Sequence, residues 1–270
     1  MDSIMYILIV LAVILITAWL CYRHIRSMAN NLLAQGLACT EGKKRNALLR
    51  KAALMCNEDA IIAYACNNPD MFTQPKLVPF KYSIGLHRFP CVFADHYFAK
   101  GLYKLISPKQ KAFMKRVYAF DGLEEDCEDL IEEGIKNLGV SAKDAVIIFM
   151  PCSNPFRFTN KFQHLSWKLQ KKGYEVNHMT YPYHSVRDQK DNSSSDEDLM
   201  SHVSEIVGVD KRKVIVVDDV FNTGRTLKTF CKELKKYHVQ IVGAVFVSKV
   251  FYPPKNMLLT WIKIVLTEQK

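Results

Sequence analysis

One segment of the chain brings together residue types that bind a sugar phosphate. An apolar stretch, Val214–Val217, has the composition of a buried strand and ends in two adjacent acids, Asp218 and Asp219. Paired carboxylates at the end of a strand can accept hydrogen bonds from two hydroxyl groups of a ribose. A short turn then leads into a predicted helix, and its amides and hydroxyls can surround a phosphate at the helix N-terminus. The phosphate-binding residues predicted in this way are Asn222, Thr223, Gly224, Arg225 and Thr226.

Two rival interpretations of this segment fail on the sequence. Response-regulator receiver domains also place adjacent acids after an apolar strand, but they need a phosphoacceptor Asp on a later strand, and no Asp follows Asp219. A P-loop needs Gly-Lys-Ser or Gly-Lys-Thr, which the chain lacks. An ordinary strand-turn-helix corner is the alternative without chemistry, and it requires chance to place two acids, Gly224 and two threonines together.

The segment resembles the phosphoribosyl pyrophosphate (PRPP)-binding motif of type I phosphoribosyltransferases, which runs from an apolar strand through two acids and three variable residues to Thr-Gly-x-Thr. The resemblance implies that Asp218 and Asp219 bind the 2′ and 3′ hydroxyls of the ribose and that residues 222–226 hold its 5′-phosphate. It also implies a magnesium ion held by oxygens of the substrate, so no protein metal ligands are predicted. Replacing Asp219 with Asn, and less severely Asp218, should weaken PRPP binding while the fold survives.

The same resemblance suggests residues for the rest of the substrate. In the family, the loop after the first strand contacts the pyrophosphate, and a longer loop closes over the substrate and excludes water. Here the first loop corresponds to residues 151–157 and the second to residues 181–198. The candidates are Arg157 and Lys161 for the pyrophosphate, Arg187 and Lys190 in the flexible loop, and Lys249, Phe251 and Tyr252 in the base region. The respective alternatives are a solvated loop cation, a plain flexible loop, and core packing with loop anchoring.

Asn222 bears on the acceptor of the phosphoribosyl group. Phosphoribosyltransferases of the hypoxanthine-guanine type resemble this motif but carry Asp at that position, where it can exchange a proton with the purine ring. An amide cannot act as a base, so the sequence disfavours a 6-oxopurine acceptor. The stretch Lys161-Phe162-Gln163 and the order of the elements are also similar to the competence-associated ComF type, which implies a role in handling DNA.

Apolar runs that alternate with amphipathic helices follow Gly139 and predict an α/β domain over residues 141–270. We expect five mainly parallel strands with flanking helices, which by the resemblance is the type I phosphoribosyltransferase fold. The predicted strands are Ala145–Met150, Tyr174–Met179, Val214–Val217, Val239–Val247 and Leu258–Leu266, and the predicted helices are Asn160–Lys172, Leu199–Val207 and Thr226–Tyr237. This order places Asp218 and Asp219 at the carboxyl end of the third strand.

Residues 27–140 predict a helical region. Residues 46–66 carry apolar side chains at helical spacing on both sides of a turn at Asn57, which indicates a helical hairpin. Several prolines favour an irregular connection over residues 72–98. Helices should follow at residues 107–120 and 123–138, and nothing in this region indicates a function.

Residues 1–26 predict a membrane anchor. Residues 4–22 contain no charge and, at about 1.5 Å per residue, just span a hydrocarbon core about 30 Å thick. A cleaved signal peptide needs a basic start and a small-residue cleavage site, and a buried core helix seldom runs so long at the N-terminus. Arg23 and Arg26 follow the span and Asp2 precedes it, so the positive-inside rule predicts a single-pass membrane protein with a cytoplasmic C-terminal domain.

The composition leaves the partner open. The formal net charge of +10 suits nucleic acid, anionic lipid or a phosphorylated small molecule, but the lysines are scattered, so a nucleic-acid surface is not indicated. The eight cysteines form no C-x-x-C pair and the eight histidines no H-x-x-x-H pair, which argues against a disulfide framework and a zinc site. The sequence predicts a membrane-anchored phosphoribosyltransferase of undetermined oligomeric state. A non-catalytic PRPP sensor and a ComF-like protein are the alternatives.

Overall fold

The computed structural model describes residues 2–121, 127–141, 144–152, 155–177, 206 and 208–267. These residues form two compact units. The sheet unit contains residues 74–99 and 110–251, and the anchor unit contains residues 2–73, 100–109 and 252–267. This division differs from the predicted boundary at residue 141, because two segments before that residue belong with the sheet and the C-terminal segment belongs with the N-terminal helices.

A six-stranded, mainly parallel sheet forms the centre of the sheet unit. Its strands are β1 (Phe80–Ile84), β2 (His87–Tyr97), β3 (Val146–Phe149), β4 (Glu175–Val176), β5 (Lys213–Phe221) and β6 (Gln240–Val250), in the order β1-β2-β6-β5-β3-β4. Among these strands, β1 pairs with β2 in antiparallel fashion and each other pair is parallel. The carboxyl ends of β2, β3, β5 and β6 therefore lie along one edge of the sheet. The predicted α/β class with a mainly parallel sheet is confirmed.

Helices cover both faces of this sheet. They are α5 (Pro108–Asp121), whose first turn starts in the anchor unit, α6 (Glu128–Asn137), α7 (Pro155–Lys171) and α8 (Arg225–Lys235). A Cβ atom placed on Gly134 of α6 would lie 2.5 Å from the side chain of Val245, so α6 packs tightly on the face to which Val245 points. Cys231 of α8 neighbours Cys91 of β2, which pairs with Ala244 and so points to the opposite face.

The irregular connection predicted for residues 72–98 is wrong, because this segment forms the hairpin of β1 and β2. The centre of β2 is a continuous buried run from Cys91 to Ala94, typical of a strand with neighbours on both sides. In the sequence, Pro90 next to this run argued against a strand. In the structure it lies opposite Lys81 of β1, and the pairing with β6 begins one residue later at Cys91, so the proline interrupts no hydrogen bond to β6. The sheet therefore has six strands and not the predicted five.

The strand predicted at residues 258–266 is also wrong, because these residues belong to a helix, α9 (Met257–Leu266). Its β-branched residues favour a strand, but the side chain of Asn256 accepts a hydrogen bond from the amide of Leu259 at 3.0 Å and caps a helix. The buried residues Thr260 and Ile264 are four positions apart, which is the helical spacing. The four other predicted strands correspond to β3, β4, β5 and β6. Of the helix predicted at residues 199–207, only residue 206 is described.

The anchor unit is helical. Its elements are α1 (Asp2–Ala38), α2 (Gly42–Leu54), α3 (Glu58–Asn67), α4 (Pro69–Phe72), a 3-10 turn (Lys100–Leu102) and α9. The predicted hairpin is confirmed as α2 and α3, and Asn57 caps α3 by accepting a backbone hydrogen bond at 2.9 Å. Arg45 is 3% exposed and donates to the Asn67 side chain at 2.8 Å and to the Leu37 carbonyl at 3.0 Å. One buried guanidinium thus joins α1, α2 and α3.

The first helix is a candidate membrane span. The part of α1 from residue 5 to residue 38 is long and apolar enough to cross a bilayer, and none of its most apolar 18-residue window is buried in the protein. The predicted span, residues 4–22, lies within this helix. Its exposed apolar side chains include Leu8, Leu11, Leu15 and Trp19.

Candidate functional site

Two carboxylates lie at the carboxyl edge of the sheet. Val214–Val217 are buried and pair with β3 and β6, so the sheet fixes the backbone on which Asp218 and Asp219 follow. The amide of Asp219 donates to Oδ1 of Asp218 at 2.9 Å. The amide of Val220 donates to Oδ1 of Asp219 at 2.7 Å. One oxygen of each carboxylate is therefore held by the backbone.

The two acids have different surroundings because adjacent residues of a strand point to opposite faces of the sheet. Asp218 lines a cavity of about 280 Å³ together with Phe246 and residues 220–227. Asp219 points towards α7, where its Oδ2 forms an ion pair with the ammonium of Lys161. The structure therefore separates two acids that the motif presents as a matched pair. Asp218 faces the cavity and Asp219 faces a cation.

Lys161 is buried although it carries a charge. Its side chain is 4% exposed, and the next residue, Phe162, stacks on Phe149 of β3 with ring centroids 4.5 Å apart. The ammonium lies 5.0 Å from the ring centroid of Phe120 and 5.7 Å from that of Phe162. The carboxylate of Asp219 and cation–π attraction from these rings therefore replace the water that the ammonium has lost.

The pKa values of these three groups are shifted. Burial acts to raise the pKa of Asp219, but the charge and the hydrogen bond of Lys161 outweigh it and hold this pKa below its ordinary value. Burial and the charge of Asp219 raise the pKa of Asp218. Burial acts to lower the pKa of Lys161, but the carboxylate of Asp219 outweighs it and raises this pKa. Asp219 and Lys161 are therefore a charged pair, whereas Asp218 retains its proton to a higher pH than an ordinary aspartate.

The phosphate turn, residues 222–226, follows β5 directly and leads into α8. Gly224 has φ +78°, in the left-handed region, and immediately precedes the first helical residue, Arg225. Because Gly224 has no side chain, it cannot cap the helix. Thr223 Oγ1 accepts a long hydrogen bond of 3.5 Å from the amide of Arg225. Asn222, Thr223, Arg225 and Thr226 are exposed, so the N-terminus of α8 is open to an anion at the cavity.

Tyr82 of β1 packs against this turn and is hydrogen-bonded to it. Its hydroxyl donates to the carbonyl of Gly224 at 2.7 Å, and its ring lies edge-on to that of Phe221, with centroids 5.7 Å apart. A Cβ atom on Gly224 would lie 2.5 Å from the Tyr82 hydroxyl oxygen. Tyr82 was not predicted as a site residue, because its stretch of sequence is typical of an irregular connection. The only signal in the sequence was a Phe-x-Tyr alternation in a proline-containing stretch.

Both predicted pyrophosphate residues lie on α7, although only Lys161 was predicted to lie in a helix. This helix begins at Pro155, five residues earlier than predicted, so Arg157 is in its first turn. Arg157, Asp218 and Asp219 are close enough to Cys152 for their charges to influence the pKa of its thiol, so all three lie at the same edge of the sheet. Burial raises the pKa of Cys152 to about 12, so its thiol stays protonated near neutral pH. Lys161, also predicted to contact the pyrophosphate, pairs with Asp219 in the structure.

Lys249 lies near the end of β6, between β2 and β5. Its ammonium is 5.0 Å from the ring centroid of Phe80 and 5.5 Å from that of Phe93. Burial lowers its pKa. Lys249 therefore lies in an aromatic, half-buried environment at the carboxyl edge, where the base region was predicted.

Phe251 follows β6 directly at this edge, and its amide donates to the carbonyl of Tyr97 at 2.8 Å. Phe251 is 1% exposed and packs against Phe98, with ring centroids 5.4 Å apart, which favours the core-packing alternative. Tyr252 is exposed and belongs to the anchor unit. Arg187 and Lys190 lie outside the described residues.

The acids of the site suit a magnesium ion that is bound mainly by a phosphorylated ligand. Within the described residues, no three His, Cys, Asp or Glu side chains come together in a way that could hold a metal. Asp218 and Asp219 offer two carboxylates, and Lys161 already neutralises one of them. Magnesium is commonly bound by one or two carboxylates together with phosphate oxygens and water, so this donor set fits an ion that enters with its ligand.

Comparison with known proteins identifies the family that this site resembles. Residues 163–251 match the family described as Phosphoribosyl transferase domain, and they include the acid pair and the phosphate turn. The curated Hypoxanthine-guanine-xanthine phosphoribosyltransferase of Plasmodium falciparum (isolate K1 / Thailand) is 25% identical over 140 residues, which are 52% of this chain. The chain spans 60% of the length of that relative. The sheet unit thus has the α/β architecture of type I phosphoribosyltransferases, and residues 163–251 within it match the phosphoribosyltransferase domain family.

Proposed function

We propose that this protein binds PRPP and transfers its phosphoribosyl group to a nitrogen acceptor, with release of pyrophosphate. The observation that carries the proposal is the placement of Asp218 and the phosphate turn around one cavity of about 280 Å³. Amides and hydroxyls at a helix N-terminus bind a phosphate, and a carboxylate beside them can accept from ribose hydroxyls. Asp218 lies on β5 and the phosphate turn follows that strand directly, so the two groups are close along the chain.

The residues of the site have separate tasks in this reaction. The phosphate turn holds the 5′-phosphate, and Asp218 with Asp219 orients the ribose hydroxyls while positive charge develops at the anomeric carbon. Lys161 keeps Asp219 ionised and fixes the direction of its carboxylate. Arg157, in the first turn of α7, is the candidate for the pyrophosphate. Magnesium, brought in by the substrate, neutralises the charge of the leaving pyrophosphate.

The acceptor should be a base other than hypoxanthine, guanine or xanthine. The name of the Plasmodium relative includes all three bases, but Asn222 provides an amide where a purine transferase of that kind uses a carboxylate. We expect pyrophosphate release with none of these three bases, measured in a panel of purines, pyrimidines and nicotinate-like acceptors with the full-length protein in lipid nanodiscs. Robust transfer to guanine would contradict this prediction and show that another group exchanges the proton.

The first test of the proposal is isothermal titration of the same nanodisc sample with PRPP and magnesium. Micromolar binding followed by pyrophosphate release with any one base supports the transferase. A second candidate is a non-catalytic PRPP sensor, which the exposed apolar helix α1 favours because nucleotide salvage needs no membrane anchor. Binding without turnover over the whole panel supports the sensor, and absence of binding contradicts both.

A ComF-like role stays a prediction, because the matched family is the general transferase domain.

Binding of PRPP is expected to depend on the ionisation of Asp218. Since its pKa lies above the ordinary value, binding should weaken as the pH falls through this pKa, by up to about tenfold per pH unit for one proton. Titrations between about pH 5 and pH 8 will measure this dependence. Asp218→Asn is the matched control, because phosphate groups of the ligand titrate equally in both samples. An identical pH dependence in the two proteins would show that Asp218 does not titrate in the binding step.

We also propose that α1 anchors the protein in a membrane through residues 4–22, with the rest of the chain in the cytoplasm. The length and exposure of α1 and the charges that follow it support this proposal. We expect the chain to fractionate with membranes and to resist alkaline extraction. Protease added to intact cells should leave the C-terminal part undigested. Digestion from outside would reverse the orientation and remove access to cytosolic PRPP.

A further inference from the structure

One helix of the anchor unit has an apolar face that the described residues of the protein do not cover. The inner face of α9 packs on α2, where the indole of Trp261 donates to the carbonyl of Leu54 at 3.4 Å and Arg50 donates to the carbonyl of Ile264 at 3.1 Å. On the outer face, Leu258 is 66% exposed and Leu259 is 62% exposed. Two adjacent leucines this exposed at the start of a helix are unusual for a surface in contact with water.

The packing of α1 and α2 shows which end of the anchor unit is nearer to the proposed membrane span. Gly36 of α1 lies against Leu49 of α2, and Asn30 accepts a hydrogen bond from Asn57 at 2.7 Å, so the two helices run in opposite directions. The turn after α2 and the first two residues of α3, together residues 55–59, line one cavity with α1 residues between 22 and 30. At about 1.5 Å per residue, this turn is within about 12 Å of residue 22, where the predicted span ends.

The exposed leucines are at this same end. Trp261 contacts residue 54, whereas Ile264 contacts residue 50, so α9 runs opposite to α2. The first turn of α9 therefore extends past the C-terminal end of α2. This is the end of the anchor unit that is nearer to residue 22 and the proposed span. The first turn of α9 lies at the level of the lipid headgroups when residues 4–22 fill the hydrocarbon core.

The charge of the anchor unit suits an anionic leaflet. Its described residues include twelve Lys and Arg but five Asp and Glu, and one of these acids, Asp2, precedes the span. Lys255 and Lys263 flank the exposed leucines along the chain, and Lys255 is exposed. A lysine beside an apolar contact can keep its stem among lipid tails and its ammonium among phosphates. A second copy of this chain would instead bring like charges together.

We propose that the first turn of α9, with Leu258, Leu259 and Lys255, inserts into the headgroup region of the leaflet from which α1 emerges, and that this leaflet is anionic. The contact is a second, interfacial attachment beside the transmembrane one. It rests on the proposed anchoring by residues 4–22. It fixes the orientation of the anchor unit at the bilayer, which a single helix could not do, because a helix alone can rotate about its axis.

The test uses the full-length chain in vesicles of phosphatidylcholine and phosphatidylserine, with a photo-reactive amino acid at one position in each sample. Leu258 reports the proposed contact and Ile9 reports the span. Lys44 is the matched control, because it is an exposed position in the same unit but lies about 15 Å from Leu54, near the opposite end of α2. Lipid adducts are identified by mass spectrometry after illumination.

We expect lipid adducts at positions 9 and 258 and none at position 44. Adding Lys255→Glu should reduce the adducts at position 258 and leave those at position 9 unchanged. Adducts at position 9 with none at position 258 would overturn the interfacial contact while the anchor stands. Adducts at position 258 to a second copy of the chain would overturn it in favour of a dimer. Absence of adducts at position 9 would overturn the anchor and, with it, this inference.

Discussion

Asp219→Asn is expected to lower the free energy of unfolding by about 3 kcal/mol, because it leaves the buried ammonium of Lys161 without its carboxylate. The sequence alone predicted that folding would survive this change, and it gave no sign that a lysine is buried beside the motif. The loss should be at the low end of the range for a broken buried ion pair, because Asp218 is still close to Lys161. Thermal unfolding of the full-length protein in detergent micelles measures it.

Asp218→Asn should weaken PRPP binding and leave the free energy of unfolding nearly unchanged. Its carboxylate faces the cavity and has a raised pKa, so its removal should leave stability close to that of the parent. Binding of PRPP should weaken by about 1.5–3 kcal/mol, the cost of a charge-assisted hydrogen bond. Asp219→Asn should weaken binding as well, through its own ribose contact. Titration calorimetry with PRPP and magnesium separates the binding loss from the stability loss.

The control for the ion pair is the double variant Lys161→Met with Asp219→Asn. Removing both charges leaves no buried ion, so stability should return most of the way to that of the parent while PRPP binding stays weak. The pair contributes stability above the pKa of Asp219 in the unfolded chain, and that contribution is lost as the pH falls towards the lower pKa in the fold. If Asp218→Asn with Asp219→Asn binds PRPP as tightly as the parent, the motif does not bind the ribose.

Gly224→Ala is expected to destabilise the protein and to abolish PRPP binding. An L-residue at φ +78° costs about 1–2 kcal/mol. The new Cβ would also lie 2.5 Å from the Tyr82 hydroxyl oxygen, and such overpacking adds about 1–3 kcal/mol. Relief of the contact requires the turn or Tyr82 to move, and either movement breaks the hydrogen bond that fixes the phosphate turn. Binding should be lost even in the fraction of protein that remains folded.

A second glycine of the sheet unit provides the matched control. Gly85, in the turn between β1 and β2, has φ +62°, and a Cβ there would meet nothing within 4 Å. Gly85→Ala should therefore show the backbone cost alone, about 1–2 kcal/mol, with PRPP binding unchanged. Equal destabilisation by the two variants, with binding intact in both, would show that Tyr82 does not press on the phosphate turn.

The sequence predicted the part of the site that is carried by one continuous segment. From Val214 to Thr226 the strand, the acids, the turn and the helix follow each other directly, so their order alone places them. The partner of Asp219 could not be predicted in the same way. Lys161 is 58 residues away in sequence, and it lies next to Asp219 only because α7 packs on the sheet.

The errors in the fold have local causes. In β2, polar residues and Pro90 surround a short buried run, and the burial becomes evident only when β6 pairs from Cys91 onwards. In α9, the β-branched residues favour a strand, and a single capping side chain, Asn256, decides for a helix. In β2 the deciding contact lies far outside the window in which periodicity is judged, whereas in α9 it is a cap next to the helix that the β-branched pattern outweighed.

The position of β2 in the sheet has a consequence for synthesis of the protein on the ribosome. β2 ends at Tyr97, and its parallel neighbour β6 begins at Gln240, so about 140 residues separate them. At roughly 5–20 residues per second, β6 emerges about 7–28 s after β2. During that time the apolar hairpin of β1 and β2 has an unpaired edge. The nascent chain therefore exposes an aggregation-prone strand edge until β6 is made, and we expect chaperones to bind it during this interval.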